Sequence, residues 1–128
     1  MTPFFSKKVN LDFDTTIQKV TELLKSQGFG IITQVDVKDT LKNKIDVDFR
    51  PYRILGACNP KFAHKALTTF DKAGIMMPCN VVVQQHEDGT VEVTLVNPES
   101  MVRSMPDSGL NDFACEVTEV MRKVFKEL

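Results

Sequence analysis

Two cysteines and a histidine are the residues of this chain best suited to chemistry. Cys58 and His64 lie six positions apart in LGACNPKFAHKAL (residues 55–67), and Cys79 follows in MPCNVVV (residues 77–83). A thiol beside a histidine can act as a nucleophile, because the imidazole can remove the thiol proton. Two thiolates and an imidazole are also a ligand set for zinc or another soft metal. The spacing matches no known zinc signature, so no metal is assigned.

Part of this motif predicts structure rather than chemistry. Asn59 is a preferred helix N-cap, and Pro60 at the first helical position gives up an N–H that has no partner there. Cys58 would then lie at the positive end of a helix dipole, which favours the thiolate. Alternatively, Cys58 is a small apolar residue ending a strand, as most free cysteines are. His64 would then be a partly buried histidine on the helix flank.

A second polar group surrounds Pro51. Arg50, Tyr52 and Arg53 place two guanidinium groups beside an aromatic ring, a combination that can bind a carboxylate or a phosphate. Alternatively, the arginines pair with acidic residues, such as Asp46 and Asp48 or those of a partner subunit. Both interpretations stay open at the level of sequence.

Hydrophobic periodicity predicts the elements that position these residues. Apolar alternation and turn residues predict five strands, at residues 4–9, 29–37, 52–58, 79–85 and 90–96. The Asp88–Gly89 pair between the last two strands predicts a hairpin with a two-residue turn. Residues 97–109 are predicted to be a connecting segment without its own helix.

Four helices complete the prediction. The first begins at Asp14 as its N-cap and ends at Gly28. A short second helix has its buried edge at Val37, Leu41 and Ile45. The third helix starts at Pro60, and the last runs from about Leu110 to the C-terminus. The buried stripe of the third helix is predicted to contain Ala63, Ala66, Leu67 and Phe70.

This order of elements predicts one α+β domain over residues 1–128. We expect a two-layer sandwich, with a mainly antiparallel sheet of about five strands and helices packed on one face. The long C-terminal helix belongs to the helical layer. The other face of such a sheet would be open, and a homodimer commonly buries it.

Composition limits the classes of partner. The 128 residues are 42% hydrophobic and 26% charged, which is typical of a globular protein and not of a disordered one. With 16 basic and 17 acidic residues, the chain lacks the positive charge of a general nucleic-acid binder. We expect no membrane span and no signal peptide. Three cysteines without a CxxC motif favour reduced thiols in the cytoplasm, where a Cys58–Cys79 disulfide is disfavoured.

Three segments of the chain resemble a prokaryotic family known as domain of unknown function 302. They are GFGIITQVDVKDTLKNK (residues 28–44), DFRPYRILGACNPKFAHKAL (residues 48–67) and PCNVVV (residues 78–83). The resemblance implies a TATA-binding-protein-like α+β fold with a curved antiparallel sheet, and a homodimer. It implies no activity, because the family has none established. The fold alone does not imply DNA binding.

The leading hypothesis is therefore a cytoplasmic homodimer that binds a small molecule or an anion, with no nucleic-acid or membrane partner. Polar and thiol residues at strand ends would line its pocket, because loop-borne sites are commonly built there. These residues are Arg50, Tyr52, Arg53, Cys58, Asn59, His64, Cys79 and Asn80. One alternative is a thiol- or metal-dependent enzyme that uses Cys58, His64 and Cys79. Another is a purely structural or interaction protein, and the sequence specifies no cofactor.

Overall fold

A sheet of five antiparallel strands forms one layer of the computed structural model, which describes residues 1–128. The strands are β1 (Phe4–Val9), β2 (Gly30–Asp36), β3 (Tyr52–Cys58), β4 (Cys79–Gln85) and β5 (Val91–Val96). The helices are α1 (Phe13–Ser26), α2 (Val37–Ile45), α3 (Pro60–Thr69), α4 (Pro98–Val102) and α5 (Asn111–Glu127), with a 3-10 turn at Ala73–Met76. The strand order β1-β5-β4-β3-β2 gives one sheet. The predicted α+β class with a single antiparallel sheet is confirmed.

The core lies between this sheet and the long helices. Alternate residues of the central strands point inward, as the alternation in the sequence predicted. Helices α1 and α5 contribute aliphatic side chains at helical spacing to the same core. The fully buried residues of these elements include Val20, Leu24, Leu55, Val81, Val83, Val93, Leu95, Val117, Met121 and Val124. Each such side chain contributes about 1.5–3 kcal/mol through burial.

The first helix begins two residues earlier than predicted. Asp12, not Asp14, is the N-cap, because its Oδ1 accepts a hydrogen bond of 2.8 Å from the backbone N–H of Thr15. Asp14 lies in the first turn, where its negative charge meets the positive end of the helix dipole. The predicted end is confirmed, since Gly28 follows the helix with a φ of 82°.

Two predicted buried residues are exposed. Ile45 is 63% exposed, because α2 has no buried residue and lies loosely against the edge of the sheet. Leu67 is 45% exposed, because α3 turns Phe62 toward the core instead. Ala66 is buried and Phe70 packs against the core, as predicted. Phe62 and Ala66 are one helical turn apart, so the buried stripe is rotated from the predicted one.

The hairpin between β4 and β5 has a three-residue loop, not the predicted two-residue turn. The backbone N–H of His86 donates to the carbonyl of Thr90 at 2.8 Å and closes the loop Glu87-Asp88-Gly89. Asp88 Oδ1 accepts from both the backbone N–H and the hydroxyl of Thr90, which holds this geometry. Gly89 supplies the positive φ that such a loop requires.

Helix α4 lies in the segment that was predicted to lack a helix. Asn97 and Pro98 begin it with the same Asn-Pro pair that begins α3. Here, however, the Asn97 side chain caps nothing. Its amide donates to the carbonyl of Thr2 and its Oδ1 accepts from the hydroxyl of Thr118. None of the helices is long and apolar enough to cross a membrane.

The sheet face that points away from the core, here called the open sheet face, is partly exposed. The alternation and register place these residues on it: Phe4, Ser6, Lys8, Thr33, Val35, Tyr52, Ile54, Gly56, Asn80, Val82, Gln84, Glu92, Thr94 and Val96. Phe4 and Val35 are 51% and 43% exposed. Lys8 and Glu92 are the charged strand residues on this face. Arg50 and His86 also contact it, through hydrogen bonds to Gln84 and Glu92.

Gly56 permits a close approach that ties β3 to its neighbours. A Cβ at this position would collide with Thr33 Oγ1 and lie 2.6 Å from Pro78 Cγ. Pro78 directly precedes β4, and its ring fills the space that a side chain on Gly56 would need. The strand pairing therefore depends on a glycine here.

We expect Gly56→Ala to lower the free energy of unfolding by about 1–3 kcal/mol, because the new methyl group overpacks this contact. Urea denaturation would measure the change. Gly30→Ala is the matched control on β2, since a Cβ there meets nothing within 4 Å. Equal stability of the two variants would show that the Gly56 contact is unimportant.

Candidate functional site

Cys58 and Cys79 line the same cavity. Cys58 ends β3 and Cys79 begins β4, and these strands are antiparallel neighbours in which Ala57 pairs with Cys79. The end of one strand therefore lies beside the start of the other. The cavity is lined by Phe29, Ala57, Cys58, Asn59, Phe62, Ala63, Met77, Pro78, Cys79, Phe113 and Val117.

The walls of this cavity are mainly aromatic and aliphatic. The Phe62 ring lies between those of Phe29 and Phe113, with centroid distances of 5.9 Å and 6.2 Å. The cavity is small: the volume open to the centre of a water molecule is only about 20 Å³. Roughly 10–15 Å³ suffices for one water molecule. The cavity thus holds a ligand of a few atoms, unless its side chains move.

Asn59 is the only amide side chain that lines the cavity, and its oxygen is already used. Its Oδ1 accepts from the backbone N–H groups of Lys61 and Phe62 at 3.0 Å and 3.3 Å. This confirms the predicted N-cap of α3. The remaining heteroatoms of the lining side chains, apart from the Asn59 amide, are the sulfurs of Cys58, Cys79 and Met77.

Burial controls the chemistry of Cys79. Removal of the thiol from water, and secondly the nearby Cys58, raise the pKa of Cys79 from 9.0 to about 11. Both effects disfavour a second negative charge in this space. Cys79 is consequently a protonated thiol near neutral pH. Cys58 and Cys79 are both half-buried by accessible surface, so solvent reaches the edge of the site although the surroundings of the Cys79 thiol are mostly protein.

His64 lies outside the cavity. Its side chain is exposed, which contradicts the interpretation of a partly buried histidine. Phe62 and Ala66 face the core, and His64 lies two residues from each, about half a turn around the helix. Cys58, His64 and Cys79 therefore do not converge. No group of three or more His, Cys, Asp and Glu side chains is placed to hold a metal ion.

Tyr52 and the two arginines lie at the opposite end of β3. Six residues of extended strand separate Tyr52 from Cys58, a distance of about 20 Å. The Arg50 guanidinium lies 4.5 Å from the Phe49 ring centroid, and its Nε donates to Gln84 at 3.0 Å. These contacts occupy Arg50 within its own chain.

Arg53 has different partners from those proposed. Its Nη2 lies 3.3 Å from the Asp36 carboxylate, and its guanidinium lies over the Phe13 ring at 5.7 Å. Asp46 and Asp48 instead bind Lys42. The predicted pairing of the arginines with these two aspartates is therefore wrong.

Asn80 lies on the open sheet face. It does not line the cavity that contains Cys58 and Cys79, here called the thiol cavity. It is exposed and lies opposite Gly56 in the β3–β4 register. It lines a separate groove with Met76 and Pro78. Of the eight predicted site residues, only Cys58, Asn59 and Cys79 share the cavity. The structure does not bring the eight into one pocket.

A second small cavity adjoins the first. It shares Met77, Cys79 and Phe113 with the thiol cavity and adds Met76 and Met101. The site prediction did not include Met77 or the aromatic residues that form the walls of the cavity. The only signal of these aromatic residues in the sequence is their place in apolar stripes.

Comparison with known proteins agrees with this architecture. The model of the family described as "Domain of unknown function DUF302" matches residues 5–128. The chain belongs to this family. The resemblance of the three sequence segments is thereby confirmed.

Two relatives of this DUF302 protein illustrate the similarity. An "Uncharacterized protein" of Aquifex aeolicus (strain VF5) is 34% identical over an alignment of 94 residues. The match covers 64% of this chain and 65% of that protein, less than two thirds of its length. A solved structure is described as "Crystal structure of uncharacterized conserved protein DUF302 from Bacillus stearothermophilus". It is 30% identical, covers 97% of this chain and 96% of that chain, and has a TM-score of 0.88. The similarity of the two structures supports the fold, and neither description names a function.

The raised pKa of Cys79 gives a test of the site. In a C58S/C115S variant, where Cys79 is the remaining thiol, we expect the iodoacetamide alkylation rate to keep rising with pH beyond the ordinary thiol value of 9.0. The thiolate is the nucleophile, and burial, the larger cause of the shift, persists without Cys58. The same variant in urea should level off near 9.0. A folded-state profile that levels at or below the unfolded one would contradict the buried thiol.

Proposed function

We propose that this DUF302 protein is a binding module that holds a small thiophilic ligand between Cys58 and Cys79. The supporting observation is that two thiols from neighbouring strands line one small cavity with apolar walls. Sulfur supplies nearly all of the ligand-binding atoms there. A ligand that prefers sulfur fits such a site better than one that needs oxygen or nitrogen partners.

An anion is a poorer fit to the same residues. Carboxylates and phosphates bind to guanidinium groups or to clusters of free N–H groups. Arg50 and Arg53 already contact Gln84 and Asp36, about 20 Å along the strand from the thiols. The backbone N–H groups of Lys61 and Phe62 are capped by Asn59.

Binding is also better supported than thiol catalysis. A nucleophilic thiol needs a neighbouring base or a lowered pKa. His64 is exposed outside the cavity, and the pKa of Cys79 is raised to about 11. A thiophilic ligand can still bind such a thiol, because it forms a bond to sulfur and releases the proton to solvent.

We further propose that the open sheet face binds the same face of a second chain. Exposed Phe4 and Val35, with half-buried Ile54 and Val82, form an apolar surface. Interface centres are depleted in charge, and the charged side chains Lys8, Glu92 and Arg50 all lie along one end of this face. A two-fold axis would bury the apolar part of the face against its copy.

Methylarsonous acid, CH₃As(OH)₂, is a suitable probe of the thiol cavity. With two thiols it forms two As–S bonds and releases two water molecules. We expect native mass spectrometry of the reduced protein to show one methylarsenic group per chain. Cys58→Ser and Cys79→Ser should each abolish retention, because a single thiol forms a labile adduct. Cys115→Ser is the matched control, since Cys115 is exposed on α5 and lies outside the cavity.

Two results would overturn the binding proposal. One is that the folded wild type retains no methylarsenic group, as a purely structural protein would behave. The other is retention that persists in both Cys58→Ser and Cys79→Ser but disappears in Cys115→Ser. Circular dichroism of each variant would establish that the comparison is made on folded protein.

The dimer has its own test. We expect analytical ultracentrifugation to show a dimer for the wild type and a monomer for Val35→Lys, which places a charge in the apolar face. Leu67→Lys is the matched control, because Leu67 is 45% and Val35 43% exposed but Leu67 lies on α3. A monomeric wild type, or equal dissociation of both variants, would exclude this interface.

A further inference from the structure

Met77 is placed to bind the same ligand as the two cysteines. It directly precedes Pro78 and Cys79, and its side chain lines the cavity that contains both thiols. It also lines the adjoining cavity, where Met76, Met101 and Cys79 are the other sulfur residues. The two cavities together are therefore bordered by five sulfur-containing side chains.

We infer that the thiol cavity is a binding site for a soft monovalent metal ion, Cu(I) or Ag(I), with Cys58, Cys79 and Met77 as its ligands. This inference rests on the proposed function and names the class of thiophilic ligand. Thiolate and thioether sulfur are the donors that soft ions prefer, and Cu(I) accepts a low coordination number. The space of about 20 Å³ suits a single ion.

The same lining disfavours other metals. Hard cations such as Mg²⁺ and Ca²⁺ need several oxygen ligands, and no carboxylate lines the cavity. A structural zinc ion is held by four cysteine, histidine or carboxylate ligands. The cavity supplies two cysteines, and His64 points elsewhere. A thioether completes a ligand set for Cu(I) better than for Zn²⁺.

The charge balance can be written out. Binding of M⁺ to the two thiols forms two metal–thiolate bonds and releases two protons to solvent, which leaves one net negative charge at the site. The N-terminus of α3 begins directly after Cys58, so the positive end of its dipole offsets this charge. Half-buried Cys58 gives the ion a way in, while Phe62 and Phe113 exclude water from the inner side.

An anaerobic titration would test the inference in a C115S background, so that the surface thiol does not contribute. We expect one Cu(I) per chain in competition with bathocuproine disulfonate, and a shell of three sulfur atoms by X-ray absorption. Cys58→Ser and Cys79→Ser should lose the ion. Met77→Leu should fold normally, weaken binding by at least about tenfold, and reduce the shell to two sulfur atoms. Met101→Leu is the matched control and should change neither quantity, because Met101 lines only the adjoining cavity and the groove beside it.

The outcomes separate this inference from the proposal on which it rests. If methylarsenic is retained by Cys58 and Cys79 but Cu(I) is not, the metal assignment is overturned and the thiol site stands. If Met77→Leu changes neither affinity nor the sulfur shell, Met77 is not a ligand. Zn²⁺ bound as tightly as Cu(I) would also overturn the assignment. Failure of methylarsenic itself would overturn the thiol site.

Discussion

The antiparallel pairing of β3 with β4 is the constraint on which the site depends. It sets Ala57 opposite Cys79 and Gly56 opposite Asn80, so Cys58 and Cys79 lie at the same end of the sheet and line one cavity. A slip of one residue would turn every side chain of the strand to the other face. Gly56 fixes the pairing by leaving room for Pro78, and Asn59 then starts α3 directly after Cys58. The positions of both thiols and of the helix above them thus follow from one register.

The apolar lining supports the proposal of a binding site over that of a thiol enzyme. Phe29, Phe62 and Phe113 remove water from the inner thiol, which raises the pKa of Cys79. The same rings offer no proton acceptor to a reacting group. A ligand that bonds to sulfur itself needs no such acceptor.

Much of the fold could be predicted because short-range signals determine it. The limits of β1, β3 and β4 follow from alternation that is interrupted by proline and polar residues, and the Asn59 cap follows from side-chain chemistry. The error in the buried face of α3 has another cause. Periodicity shows which residues share a helix face but not how far the helix is rotated, which is why Leu67 is exposed and Phe62 faces inward.

The site was only partly predictable for the same reason. The meeting of Cys58 with Cys79 required only that two strands be antiparallel neighbours. The exclusion of His64 depended on the rotation of α3, and the contributions of Met77 and Phe113 depended on packing between distant segments. Helix α4 was missed although Asn97–Pro98 signals its start, because five residues are too few to show a helical period.

The position of β1 at the edge of the sheet has a consequence for synthesis of the chain. Its partner is β5, and the pair Phe4–Val96 spans 96 − 4 = 92 positions of sequence. During synthesis on the ribosome, β1 therefore cannot pair until β5, the last strand, has emerged. Until then β1 has no partner strand, and Asn97 cannot reach Thr2 or Thr118. Such distant pairings fold slowly, so completion of this sheet is expected to follow release of the chain rather than accompany its elongation.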